Sequence, residues 1–242
     1  MKRAPSAVLT FTHAFQPIVD VSTSTVFAHE ALIRGLNGEG AHSVLANLTA
    51  QALHQIDRAS AIQAITTAAR VGMTSCLSVN ALPGSVDSDG HAKALADAAA
   101  AADFPVSRLI LEVTETEAIA DVPRFIAAAS SYRRLSIQIA IDDFGAGHSG
   151  LNLLADFQPD LLKLDMNLVR DIASRGPRQA IVRAILQVCE DLGIEVIAEG
   201  VESMDEFRWF VDHGVNLFQG YLIARPGFES LPVPCFPLPV PA

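Results

Sequence analysis

Four apolar runs in this chain each close on an acid or an amide: LSVN on Asn80, LILE on Glu112, IQIAIDD on Asp142 and Asp143, and VIAE on Glu199. Strand candidates of this kind recur at 14–19, 26–33, 75–80, 108–113, 137–143, 161–165, 195–198 and 216–219. Between them lie segments with apolar residues three and four apart, at 44–71 with an interruption, 91–102, 122–132, 178–191 and 204–213. Alternation of strand and helix implies a parallel sheet. No Gly-rich phosphate fingerprint follows an early strand, and polar residues end nearly every strand rather than those at one switch point. Both features favour a closed barrel over an open doubly wound sheet. A parallel barrel gathers the carboxyl ends of its strands at one mouth, so the spacing predicts a cluster of oxygen ligands around metal.

A length of 242 residues suits a single α/β barrel, and an apolar content of 50% suits a large buried core. No run of about 18 uncharged apolar residues occurs that could span a bilayer. The N-terminal apolar stretch is short and interrupted by Thr10, Thr12 and His13, which does not match a signal peptide. Cys76, Cys189 and Cys235 are odd in number and far apart, which fits a reducing, cytoplasmic setting. A net charge of −10 argues against a nucleic-acid polymer as partner, because a phosphate-binding surface needs clustered Lys and Arg. Acids at strand ends could instead hold divalent cations that reverse the local charge and admit an anionic substrate.

Glu30, Asn80, Glu112, Asp142 and Asp143 are hard oxygen donors, and no His or Cys occupies these strand ends. Such a set suits magnesium or manganese rather than zinc. Lys163, on an apolar strand, reads from the residues as a salt-bridged barrel-interior lysine, and Asp165 shares its face and could pair with it. Gln16 reads from the residues as a buried strand polar group. Glu202 holds a loop or caps the next helix. The histidines, among them His13, His29 and His91, show no mutual metal-ligand spacing and read as surface or cap residues.

FQPIVD, Glu30-Ala31-Leu32 followed by Arg34, SVN, LEVTE, IDDFGAG, LLKLD, AEGVE and QGYLIARP occur in an order that resembles the EAL domain family, phosphodiesterases of the bacterial second messenger cyclic di-GMP. The resemblance spans residues 11–228, with an N-terminal extension at 1–10 and a Pro-rich tail at 229–242. It implies a single TIM-like (β/α)8 barrel with one antiparallel strand. Glu30, Asn80, Glu112 and Asp142 would hold one Mg2+ or Mn2+ ion, and Asp142 would bridge to a second that Asp143 also binds. Glu199 and Lys163 would be catalytic, with Glu199 as base and Lys163 orienting water. Gln16, Leu32, Arg34 and Gln219 would contact substrate, with Arg34 gripping a phosphate. Glu115 would anchor the loop after Asp143. The resemblance also implies hydrolysis of cyclic di-GMP to linear pGpG, a homodimer, and a separate sensor or signalling protein. The alternative is a catalytically weak EAL domain that serves as a cyclic di-GMP receptor or a protein-interaction module. An unrelated metal-dependent barrel acting on another phosphate ester would require the ordered motifs to be coincidence.

The loop after Asp143 departs from the family's common DDFGTGYSS pattern, with Ala146, His148 and Gly150 at the variable places. Ligands stay while hydroxyls are lost and a titratable ring replaces a phenol. Substituting His148→Tyr should therefore alter turnover, metal affinity or dimerisation. Identical values for all three in paired assays would refute that role for the loop.

Overall fold

The computed structural model describes residues 10–46, 48–86, 90–114, 119, 121–146 and 150–237. Its strands are β1 (Thr12–Asp20), β2 (Thr25–Arg34), β3 (Cys76–Ala81), β4 (Leu109–Thr114), β5 (Gln138–Phe144), β6 (Leu161–Leu164), β7 (Glu195–Ala198), β8 (Leu217–Phe218) and β9 (Gly227–Phe228). The helices are α1 (Ala41–Leu45), α2 (Ala50–Arg70), α3 (Pro83–Val86), α4 (His91–Ala101), α5 (Val122–Arg134), α6 (Gly150–Asp156), α7 (Met166–Val169), α8 (Gly176–Leu192) and α9 (Met204–Val211). Side chains of Thr49, Asp121 and Ser203 accept from the amides of Ala52, Arg124 and Glu206, satisfying otherwise orphaned donors where α2, α5 and α9 begin. The long helical pattern at 44–71 divides into α1 and α2, as its interruption suggested.

Strands β2 to β8 pair in parallel and in order, and β1 closes the cylinder antiparallel to both β2 and β8. This is the expected barrel with one reversed strand. The β1–β2 seam is long, from Thr12↔Arg34 to Asp20↔Thr25, whereas the β1–β8 seam holds only Val19↔Phe218 and Asp20↔Leu217. Beyond β8, the same edge of β1 pairs with β9 through Ala14↔Phe228 and Phe15↔Gly227. A two-residue strand carries no periodicity, so β9 was not foreseen. Past it, Glu229 accepts from Thr12 and from Arg70, and Leu231 and Phe236 pack on the core, so this part of the Pro-rich segment is docked.

Alternation along each strand separates two layers. Outward-facing Phe15, Val19, Leu77, Val79, Leu111, Val113, Ile139, Ile141, Leu162 and Leu164 pack with helix residues such as Ile65, Leu95, Phe125 and Phe207 in one large apolar cluster. Inward-facing Ile18, Ala28, Ile110, Ala140, Leu161, Ile197 and Leu217 form a small apolar plug inside the barrel. Two residues nearer the mouth, the same interior face carries Gln16, Glu30, Glu112, Asp142, Lys163, Glu199 and Gln219. The count runs backwards on β1, from Ile18 to Gln16, because that strand is reversed.

His13, His29 and His91 correct the surface reading, for they are 1%, 4% and 1% exposed. They bond Ser60, Ser75 and Tyr132 respectively, and burial pushes each down to about 4. An imidazole whose folded pKa lies below its unfolded value of 6.5 takes up its proton first in the unfolded chain, so its contribution to stability is lost as pH falls from about 6.5 toward about 4. The stability advantage of wild type over His29→Gln should accordingly shrink by about 1.4 kcal/mol per pH unit across that window. Denaturant unfolding of both proteins at several pH values measures it, and a constant gap would contradict a neutral buried His29.

Candidate active site

Lys163 stands at the centre of the polar layer, with none of its side chain exposed. Its Nζ lies 2.9 Å from Glu112 Oε2, 3.0 Å from Asp142 Oδ1, 3.1 Å from Glu199 Oε1 and 3.4 Å from Glu30 Oε2. Polar neighbours occupy other lone pairs. Gln219 Nε2 donates to Glu30 Oε2 at 2.8 Å, Asn80 Nδ2 to Glu30 Oε1 at 3.1 Å, and Ser78 Oγ to Glu112 Oε1 at 2.6 Å. Sequence analysis missed Ser78, although it shares the inward face of β3 with Asn80.

The carboxylates form two overlapping groups. Glu30, Glu112 and Asp142 bring one oxygen each to within 4.8 Å of one another, and so do Asp142, Asp143 and Glu199. Adjacent strand residues normally face opposite sides, so the sharing of a site by Asp142 and Asp143 needs a cause. The β5–β6 register slips between Ile141 and Phe144, and Asp143 adopts a left-handed backbone with φ of 54°. This bulge turns two consecutive acids toward one mouth, and such backbone is tolerated where the surroundings fix it.

Electrostatics divide the acids. Burial alone would raise Glu30, but Lys163 and the bonds from Gln219 and Asn80 outweigh it and hold that carboxyl low. Burial, together with the charges of Glu30 and Asp142, pushes Glu112 up to about 8 despite Lys163. Glu199 is likewise raised by burial and by its acidic neighbours, and Asp143 rises to about 6 through burial and Asp142. Burial opposes the Lys163 charge, yet Asp142, Glu112, Glu199 and Glu30 overcome it, so the ammonium persists. One lysine cannot neutralise five carboxylates.

Around this centre the surface is recessed on three sides. Gln16, Asp143, Asp165, Glu199, Gln219 and Tyr221 line a polar cavity of about 390 Å³. Tyr221 also borders a cavity of about 620 Å³ lined by Arg34, Asn37, Arg225 and Phe228. The third recess, about 330 Å³, runs from Glu30 and Asn80 past Leu32 to Leu53, Ile56 and Val79. Gln16, Leu32, Arg34 and Gln219 are thus distributed over three recesses, and Arg34 lines the one that Arg225 also lines rather than the one lined by Glu199. A cavity of about 500 Å³ lined by Arg183, Glu190, Glu195 and His213 lies at the opposite, N-terminal end of the barrel.

Sequence reasoning also missed Arg225 and Tyr221, whose signal was the QGYLIARP run. The Arg225 guanidinium sits 4.1 Å over the Tyr221 ring. Gly220 sets this loop close to its neighbour: a Cβ there would lie 2.1 Å from Val201 O, where no side chain fits. Asp165 does not pair with Lys163; its carboxylate accepts from the Asn167 amide and caps α7. Glu202 ties to Arg170 at 2.9 Å, while Ser203 and Glu206 cap α9. Glu115 and His148 lie outside the described residues.

An EAL domain profile matches residues 4–226. The chain belongs to the EAL domain family. The cyclic di-GMP-bound form of a standalone versatile EAL protein from Vibrio cholerae O395 shares 44% identity, with a TM-score of 0.89 over 95% of this chain and 98% of that one. A calcium and cyclic di-GMP complex of Klebsiella pneumoniae BlrP1 shares 38% identity at a TM-score of 0.89, covering 98% of this chain and 61% of that one. Among curated relatives, the blue light- and temperature-regulated antirepressor BluF of Escherichia coli K12 is 33% identical over 93% of this chain and 56% of its own length. The probable cyclic di-GMP phosphodiesterase PdeD of the same organism is 38% identical over 50% of this chain and 23% of its own. The chain therefore spans little more than half of the first relative and about a quarter of the second.

The donor set fits hard divalent cations: several buried carboxylates, an amide, and no sulfur or imidazole. Gln219 Oε1 is buried without a hydrogen-bond donor among the described residues, a further acceptor facing this centre. Carboxylates must ionise in order to ligate, so binding should displace the proton that burial favours on Glu112. In the metal-free protein the protonated Glu112 carboxyl contributes stability that is fully present below about 4.5 and fades as pH climbs through about 8. Calorimetric titration with Mn2+ at pH 7 in Pipes and in Tris should give different apparent enthalpies, reflecting proton release. Equal enthalpies would contradict protonated ligands.

Proposed function

We propose that the chain hydrolyses one phosphodiester bond of cyclic di-GMP to give linear pGpG, with two Mg2+ or Mn2+ ions held by Glu30, Asn80, Glu112, Asp142 and Asp143. The observation that carries this reading is the pair of oxygen clusters sharing Asp142, set beside Lys163 and Glu199 at a barrel mouth. Likeness to EAL structures with bound cyclic di-GMP supports the substrate. Bound divalent ions supply Lewis acidity and charge neutralisation at the phosphate.

The protein's own residues have separable tasks. Glu199 takes the proton of the attacking water as the new oxygen–phosphorus bond forms and the bond to the ribose 3′-oxygen breaks. That oxygen leaves on the second nucleotide and is protonated from solvent. Lys163, 3.1 Å from Glu199, favours the ionised form of the base and donates to the water. Arg34 and Arg225, on one cavity wall, offer planar donor forks to a phosphate, and the Tyr221 ring offers a face to a base. Gln16 donates to Ala224 O and so holds the segment that carries Arg225. Leu32 borders the apolar recess beside Asn80. Exposed Leu151 and Met166 supply apolar surface for a homodimer, through which a separate signalling protein could act.

A second reading, a cyclic di-GMP receptor or protein-interaction module with little turnover, is favoured by one observation: the relative matched over 93% of the chain is named an antirepressor. Incubating the protein with cyclic di-GMP and Mn2+ and separating products by chromatography decides between them. Appearance of pGpG supports the enzyme; binding without product supports the receptor; neither would remove both. In the same assay Glu199→Gln should keep substrate binding and lose turnover by about 100-fold or more, the scale of a positioned general base. Undiminished turnover would remove Glu199 from that role.

A further inference from the structure

The ammonium of Lys163 touches every carboxylate of the first oxygen cluster and two of the second. On Glu30 and Glu112 it faces Oε2, while Asn80 and Ser78 hold Oε1. The Glu30 and Glu112 oxygens that Asn80 and Ser78 leave for a divalent ion are therefore the ones that the lysine already faces. An ammonium has three hydrogens for these four acids, so its hold is as much charge as hydrogen bonding. Its β6 strand is fixed between β5 and β7, and the side chain is enclosed, so it cannot withdraw to solvent.

We infer that Lys163 is a tethered counter-cation: it holds Glu30, Glu112, Asp142 and Glu199 together without a divalent ion and competes with that ion for the same oxygens. Two consequences have opposite signs. Without metal, loss of the lysine leaves the buried acids with no counter-charge, which destabilises the fold. With metal, loss of the lysine removes a nearby positive charge, so the ion binds more tightly.

The inference rests on the divalent-ion part of the proposed function and not on its substrate. Its test is Lys163→Met, which keeps the length of the side chain and removes the charge. Melting in chelator and calorimetric Mn2+ titration, both without nucleotide, provide the readouts. Expected are a metal-free melting temperature lower by about 5 °C or more and an Mn2+ Kd tighter by about tenfold. Equal or weaker Mn2+ binding, or unchanged metal-free melting, overturns the inference. Wild type that binds no Mn2+ overturns the divalent-ion reading itself. Should Lys163→Met not fold even with Mn2+, the charge-balanced Lys163→Met/Glu199→Gln protein is compared with Glu199→Gln alone. Tighter Mn2+ binding by the double variant supports competition, and equal or weaker binding overturns it.

Discussion

A buried ammonium ringed by carboxylates is the interaction around which this barrel is arranged. Closing eight strands into a cylinder forces their interior side chains into layers, and a layer near the mouth can be polar only if its charges are compensated. The apolar plug of Ile18, Ala28, Ile110, Ala140, Leu161, Ile197 and Leu217 seals the space below, which keeps water from reaching the acids from that side. Lys163 then sits where the dielectric is low, and its attraction to each neighbour is stronger than it would be at the surface. The cluster is stable enough to exist and acidic enough to want a further cation.

Local irregularities convert this layer into a site. The slip between β5 and β6 is what lets consecutive acids share a mouth, and Gly220 is what lets the segment bearing Gln219 and Tyr221 lie against Val201. Both are backbone features at the strand tips. Regular strand thus carries Glu30, Glu112 and Lys163, the slipped end of β5 carries Asp143, and the segment after β8 carries Tyr221 and Arg225. A phosphate needs firm charge placement and a base needs room, which suits that division.

Much of this was legible because the relevant signals have a period of two. Hydrophobic runs ending in Asn80, Glu112, Asp142 and Glu199 located the strand tips to within a residue or two, and strand order followed from the alternation with helices. The bulge was not legible, since nothing in IDDFGAG distinguishes a regular strand from a slipped one. Neither were the buried histidines. In FTHAF, Phe11, Ala14 and Phe15 surround His13, but its reading as a surface or cap residue rested on the lack of metal spacing, which says nothing about packing against Ser60. Arg225 and Tyr221 were in view as letters of a motif, yet their shared cavity wall with Arg34 depends on the return of the chain to β1, a long-range contact that local pattern does not encode.

That return also bears on how the molecule is assembled. The hairpin of β1 and β2 can form early, but the other edge of β1 has to wait for residues 217–228, because β8 and β9 are its partners there. As the chain leaves the ribosome in order, the cylinder stays an open sheet until those residues emerge. Gln219, which donates to Glu30, arrives in the same stretch. A nascent polypeptide that stops short of residue 217 therefore has Glu30, Glu112, Asp142, Asp143 and Glu199 and no finished ring in which to use them.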